Sequence, residues 1–135
     1  MEWWGTADYS ALLSAPSAFD LMESLGMRRV REHGYQLAEW GQRAIAAALG
    51  TGVPALSHAA MTLVALPPGI ACTRSEARRI QAEVADRLRA EVMLVAHAGR
   101  GYLRLSAHVY NRPGEYELLA RGLPAILREA AAGES

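Results

Sequence analysis

The chain has 135 residues, 51% of them apolar, and its fourteen basic side chains balance fourteen acidic ones. That length and composition suit one domain with a core of its own and exclude a disordered chain. The charge balance gives no overall field for nucleic acid or an anionic membrane, no apolar run is long enough to span a bilayer, and the single Cys72 excludes an internal disulfide framework.

Every basic residue is an arginine, so the chain offers no side-chain amine for Schiff-base chemistry. An arginine-only, alanine-rich composition is also what a GC-rich genome produces. The opening Met1-Glu2-Trp3-Trp4 lacks the basic and apolar regions of a signal peptide, and the expected compartment is the cytoplasm.

In chain order, Asp8 can cap a short helix. Pro16 can open a second, which carries Ala18, Phe19, Leu21, Met22 and Leu25 and stops at Gly26. A long helix follows from about Met27 to Leu49. Val30, Leu37, Trp40, Ala44, Ile45, Ala48 and Leu49 keep its period, and Gly50-Thr51-Gly52 ends it. Met61 to Leu66, closed by Pro67-Pro68-Gly69, predicts a buried strand. Thr73 and Glu76 form a capping box for a helix with Ala77, Ile80, Val84 and Leu88 on one face. Val92 to Ala96 predicts a second strand, Ala98-Gly99-Arg100-Gly101 a turn, and the alternation from Tyr102 to Tyr110 a third strand. Asn111 or Arg112 leads into a last helix with Pro113 in its first turn and Tyr116, Leu119 and Leu123 inward. Pro124 is expected to kink or break it.

The expected fold class is α+β: N-terminal helices followed by a β-α-β-β-α unit, a small and largely antiparallel sheet with helices on one face. Residues 1–135 read as one domain, with 1–50 helical, 61–130 the sheet unit and an alanine-rich tail, 130–135, that frays. Trp3, Trp4 and the apolar positions of the long helix exceed what three strands can cover, which predicts self-association or a protein partner.

The alternating strand carries most of the chemical information. Leu103, Leu105, Ala107 and Val109 share one face, and Tyr102, Arg104, Ser106, His108 and Tyr110 share the other. Arg104 in the middle of a polar face is either a solvated side chain or the wall of an anion site, because guanidinium presents a planar fork that fits a carboxylate. Gly5-Thr6 ahead of a helix has the backbone freedom and the hydroxyl that suit phosphate. His33, His58, His97 and His108 have no metal-ligand spacing, and no pair of carboxylates is arranged as acid and base, so neither metal ligands nor catalytic residues are assigned.

Three segments, in order, resemble class V aminotransferase-fold enzymes, nearest the isopenicillin N epimerase-like branch. Trp4-Gly5-Thr6-Ala7-Asp8 is similar to their W-x-G-T-R-D segment, Met61 to Pro67 to the strand ending in Leu-Pro that opens their small domain, and Arg104 to Asn111 to their R-x-S-x-x-x-Y-N strand. The resemblance implies fold-type I homodimers that use pyridoxal 5′-phosphate. It implies that Gly5 and Thr6 touch the cofactor phosphate of a neighbouring subunit and that Arg104 holds a substrate carboxylate, with Ser106, His108 and Asn111 in support. Ala7 stands where the family has arginine, and Arg112 where it has the threonine before proline. The family's Schiff-base lysine lies ahead of the W-x-G-T segment and is not in these residues. The chain alone is therefore expected to hold no cofactor, and to need a lysine-bearing partner to use pyridoxal 5′-phosphate. Three roles remain open: one subunit of a split enzyme acting on an amino-acid-like substrate, a truncated non-catalytic domain, or a binding module for small carboxylates or a protein.

Overall fold

The structure, a computed structural model, describes residues 8–53 and 59–133. Among them are four helices and three strands in an α+β arrangement: α1 (Ser10–Leu25), α2 (Met27–Leu49), β1 (Met61–Ala65), α3 (Arg74–Leu88), β2 (Met93–His97), β3 (Arg100–Ser106) and α4 (Pro113–Ala132). The sheet is wholly antiparallel in the order β1-β3-β2, so the last strand in sequence is the central one.

A two-residue turn joins β2 to β3. Ala98 and Gly99 both have positive φ, +48° and +71°, the combination that matches a hairpin's twist. The expected four-residue turn is thus shorter, and Arg100 and Gly101 are already paired with His97 and Ala96. On β3 and just after it, Leu103, Leu105 and Ala107 are 0%, 3% and 5% exposed; Leu103 and Leu105 pair with Val64, Thr62 and Leu94, which are also buried. Above them, α2 lies on β1 and β3, α3 lies on β2, and α4 packs against both α2 and α3. The core is the layer between: Ile45, Val64, Ile80, Val84, Leu103, Leu123 and their neighbours.

The capping box at the start of α3 forms as expected: Glu76 N–H donates to Thr73 Oγ1 (3.3 Å), and Glu76 Oε2 accepts from Thr73 N–H (3.4 Å). The same carboxylate accepts from Cys72 N–H at 2.8 Å. These bonds, led by the one with Thr73, hold the Glu76 carboxyl below its ordinary range. Two glutamines that the sequence reading passed over tie helices to the outer strands. Gln42 Nε2 donates to Leu63 O (2.7 Å), and Gln81 Nε2 donates to Val92 O (3.2 Å).

Four expectations need correction. The two short helices expected before Gly26 are one, α1, which runs through Pro16. Asp8 Oδ1 does accept from Ser10 N–H (2.9 Å), and the residues on both sides of Pro16 form helix readily enough to continue across the one bond it cannot donate. Likewise α4 does not break at Pro124, and Leu119, Leu123, Ile126, Leu127 and Ala130 on both sides of it are buried against one core. On α2 the buried stripe is Gly34, Leu37, Ala38, Gly41, Gln42, Ile45 and Ala46, while Trp40 is largely exposed. At Gly41 the inward face has no room for a side chain because Tyr116 of α4 fills the space. Finally, β3 stops at Ser106, not Tyr110. Asn111 Oδ1 accepts from His108 N–H (2.9 Å) and Asn111 N–H donates to His108 O (3.0 Å), closing a turn that points the chain into α4.

Candidate functional site

The sheet face away from the helices is open. Alternation puts Met61, Leu63 and Ala65 of β1, Met93, Val95 and His97 of β2, and Arg100, Tyr102, Arg104 and Ser106 of β3 on it. Every formal charge on this face is positive. Arg104 stands in the central strand between Leu63 and Met93, its cross-strand partners on either side. Both neighbours are exposed and apolar, so methyl and thioether groups flank Arg104 along the sheet. Among the described residues Arg104 has no hydrogen-bond or ion-pair partner.

Beyond Arg104 the open face ends in a cleft of about 640 Å³ between the start of β2, the end of β3 and the first turns of α4. Arg104 and Ser106 line it, as do Tyr110, Asn111 and Glu115 from the turn and α4. His108 and Tyr110 do not continue the strand face, but their rings stack 4.8 Å apart in the turn. Asn111 braces this corner twice over, accepting from His108 N–H and donating from Nδ2 to Glu115 Oε2 at 2.8 Å. Below it, Tyr116 donates to Ser106 O (2.7 Å) and is only 4% exposed. Burial, with a smaller push from Glu115, raises its hydroxyl to about 12, so it remains a neutral donor at any ordinary pH. Two further charged residues line the cleft without having been singled out from the sequence, Arg89 and Glu91, in the link from α3 to β2. The one available signal was an arginine at a helix end where glycine or asparagine is usual.

Gly5 and Thr6, together with Trp3, Trp4 and His58, lie outside the described residues. His33 is exposed on α2, and His97 is exposed at the end of β2. Among the described residues no three His, Cys, Asp or Glu side chains are grouped to hold a metal, and no helix is long and apolar enough to cross a membrane.

No family model matches the chain. Over 126 residues it is 32% identical to the isopenicillin N epimerase of Amycolatopsis lactamdurans, a match that takes in 90% of this chain and 30% of that protein. Over 141 residues it is 26% identical to a probable chloroplastic L-cysteine desulfhydrase of Arabidopsis thaliana, covering 94% of this chain and again 30% of the relative. Both relatives are class V aminotransferase-type, pyridoxal-phosphate enzymes. The chain corresponds to their C-terminal part. It spans less than a third of either relative. The chain is thus similar to the C-terminal part of these enzymes, and it contains no lysine.

Proposed function

We propose that the chain is the substrate-facing subunit of a split pyridoxal-phosphate enzyme acting on an amino-acid-like substrate in the cytoplasm, and that it docks on a separate lysine-bearing chain. The observation that carries this reading is Arg104: an arginine without a carboxylate partner among the described residues, on the central strand between the exposed apolar Leu63 and Met93. An arginine so placed gains most when a partner covers the face and removes water around it, because charge-assisted bonds strengthen in a drier surround.

In the assembled site Arg104 binds the substrate carboxylate through its two-pronged fork and fixes the orientation of the α-carbon. Leu63 and Met93 exclude water on either side. Gly5 and Thr6 take up the cofactor phosphate across the interface. Pyridoxal phosphate, when bound, supplies the electron sink for bond-breaking at the α-carbon. No catalytic proton transfer is assigned to this chain.

The cleft beside Arg104 also favours a second reading, a binding module that holds small carboxylates without chemistry. One experiment separates the two. The chain is mixed with a cofactor-loaded, lysine-bearing class V domain from the same genome, and the visible absorbance of the cofactor is followed as an L-amino acid is added. A saturable change that needs both chains, with half-saturation about ten- to a hundred-fold higher for Arg104→Ala, is the expected result. An absorbance change indifferent to Arg104, or to the chain itself, overturns the split-enzyme reading.

A further inference from the structure

The cleft that holds Arg104 contains a second arginine in an unusual setting. Arg89 ends α3 with φ +54°, the left-handed region that a β-carbon disfavours, and its side chain lines the same cleft. Two carboxylates line it as well, on different terms. Glu115 already accepts a hydrogen bond from Asn111, whereas Glu91 has no hydrogen-bond or ion-pair partner among the described residues. The N-terminal end of α4 adds partial positive charge at the cleft. Its volume of about 640 Å³ is in the usual range for small-molecule sites.

Glu115 keeps its charge but is turned towards Asn111, which leaves Arg89, Arg104 and Glu91 to meet two carboxylates and one ammonium. We infer that the cleft takes an acidic amino acid, with Arg104 on the α-carboxylate, Arg89 on the side-chain carboxylate and Glu91 facing the ammonium as the ligand arrives. This rests on the reading of Arg104 as a carboxylate anchor and adds a second anchor that selects for a second acid group. A monocarboxylic amino acid leaves Arg89 solvated and gains nothing from it.

The test titrates the isotope-labelled chain with L-glutamate and with L-glutamine, which match in size and differ in the charge of the side-chain end. Arginine Nε–H resonances are the readout. Both compounds are expected to shift Arg104; glutamate also shifts Arg89 and half-saturates at a roughly two- to five-fold lower concentration, the range open to exposed ion pairs. Arg89→Gln removes the difference and Arg89→Lys restores part of it. Arg89→Gly, whose backbone favours the native φ, repeats the loss without straining the helix end. Equal half-saturation, or an Arg89 resonance that glutamate leaves unmoved, overturns the second anchor and leaves the first standing. An Arg104 resonance that neither compound moves overturns both.

Discussion

Tyr116 of α4 occupies the space where a side chain on Gly41 of α2 would begin: a β-carbon built on Gly41 lies 2.5 Å from Tyr116 Cδ1. That close approach lets the ring reach past α2 and donate from its hydroxyl to Ser106 O at the end of β3. Trp40, the residue before Gly41 on α2, meets the same ring edge-on with centroids 6.4 Å apart. Gly41→Ala is therefore expected to destabilise by about 1–3 kcal/mol from overpacking, although alanine is the better helix former by about 1 kcal/mol. Gly114→Ala, where a β-carbon meets nothing within 4 Å, is the control and is expected to be neutral or slightly stabilising. Urea denaturation of the two variants checks the pair.

Gln42 is 1% exposed and satisfies Leu63 O on the edge of the sheet that β3 does not pair. Gln42→Leu keeps the volume, removes the donor and leaves that carbonyl without its partner. A loss of about 1–3 kcal/mol in denaturation free energy is expected. Gln81→Leu, whose bond to Val92 O is longer at 3.2 Å, is expected to lose less.

The Tyr116 hydroxyl, held up to about 12 by burial, gives stability a signature in base. Its value in an unfolded chain is about 10, so the folded state keeps the proton to higher pH. The contribution is whole below pH 10 and declines as pH rises from there through about 12, by on the order of 2 kcal/mol in all. Tyr116→Phe is expected to flatten that decline between pH 10 and 12. An unchanged slope in the variant would show that other groups cause it.

Much of this arrangement could be read from residue patterns. The α3 capping box, the long α2 and the inward set Leu103, Leu105 and Ala107 follow from short-range chemistry, which is why they stand where the sequence puts them. The misreadings have a different origin. Pro16 and Pro124 signal breaks locally, but a proline's penalty yields when the surrounding helix is otherwise sound, and on α4 there is burial on both sides of it. Val30 and Trp40 fit the period of α2 as well as Leu37 does, but Tyr116 packs where a side chain on Gly41 would stand and Gln42 bonds inward to Leu63 O, contacts that the period does not encode. Tyr102 to Tyr110 alternates throughout, yet Asn111 bonds back to His108 and ends the strand early. Of the candidate site, Arg104 was legible from alternation. Arg89 was not, because it enters the cleft through a backbone conformation that no side-chain pattern encodes.

No residue of α1 is buried, and Leu13 and Phe19 on it are 77% and 69% exposed. Met61, Leu63 and Met93 are exposed apolar side chains on the open sheet face as well. Phe19→Ser is expected to change stability by less than about 0.5 kcal/mol, since it removes no buried contact. It is also expected to lower the average mass in sedimentation at high concentration. A monomeric wild-type chain would leave that surface without a role in self-association.

The most direct measurement of the central claim is an amide-resolved titration of the purified chain with sodium acetate, against sodium chloride at the same ionic strength. If Arg104 is a carboxylate anchor, acetate gives saturable shifts centred on Arg104 and its cross-strand neighbours Leu63 and Met93, chloride does not, and Arg104→Ala abolishes them. Arg104→Lys is expected to retain only part, because an ammonium cannot offer two parallel donors. Shifts spread evenly over the chain's arginines, or equal for acetate and chloride, would contradict the account.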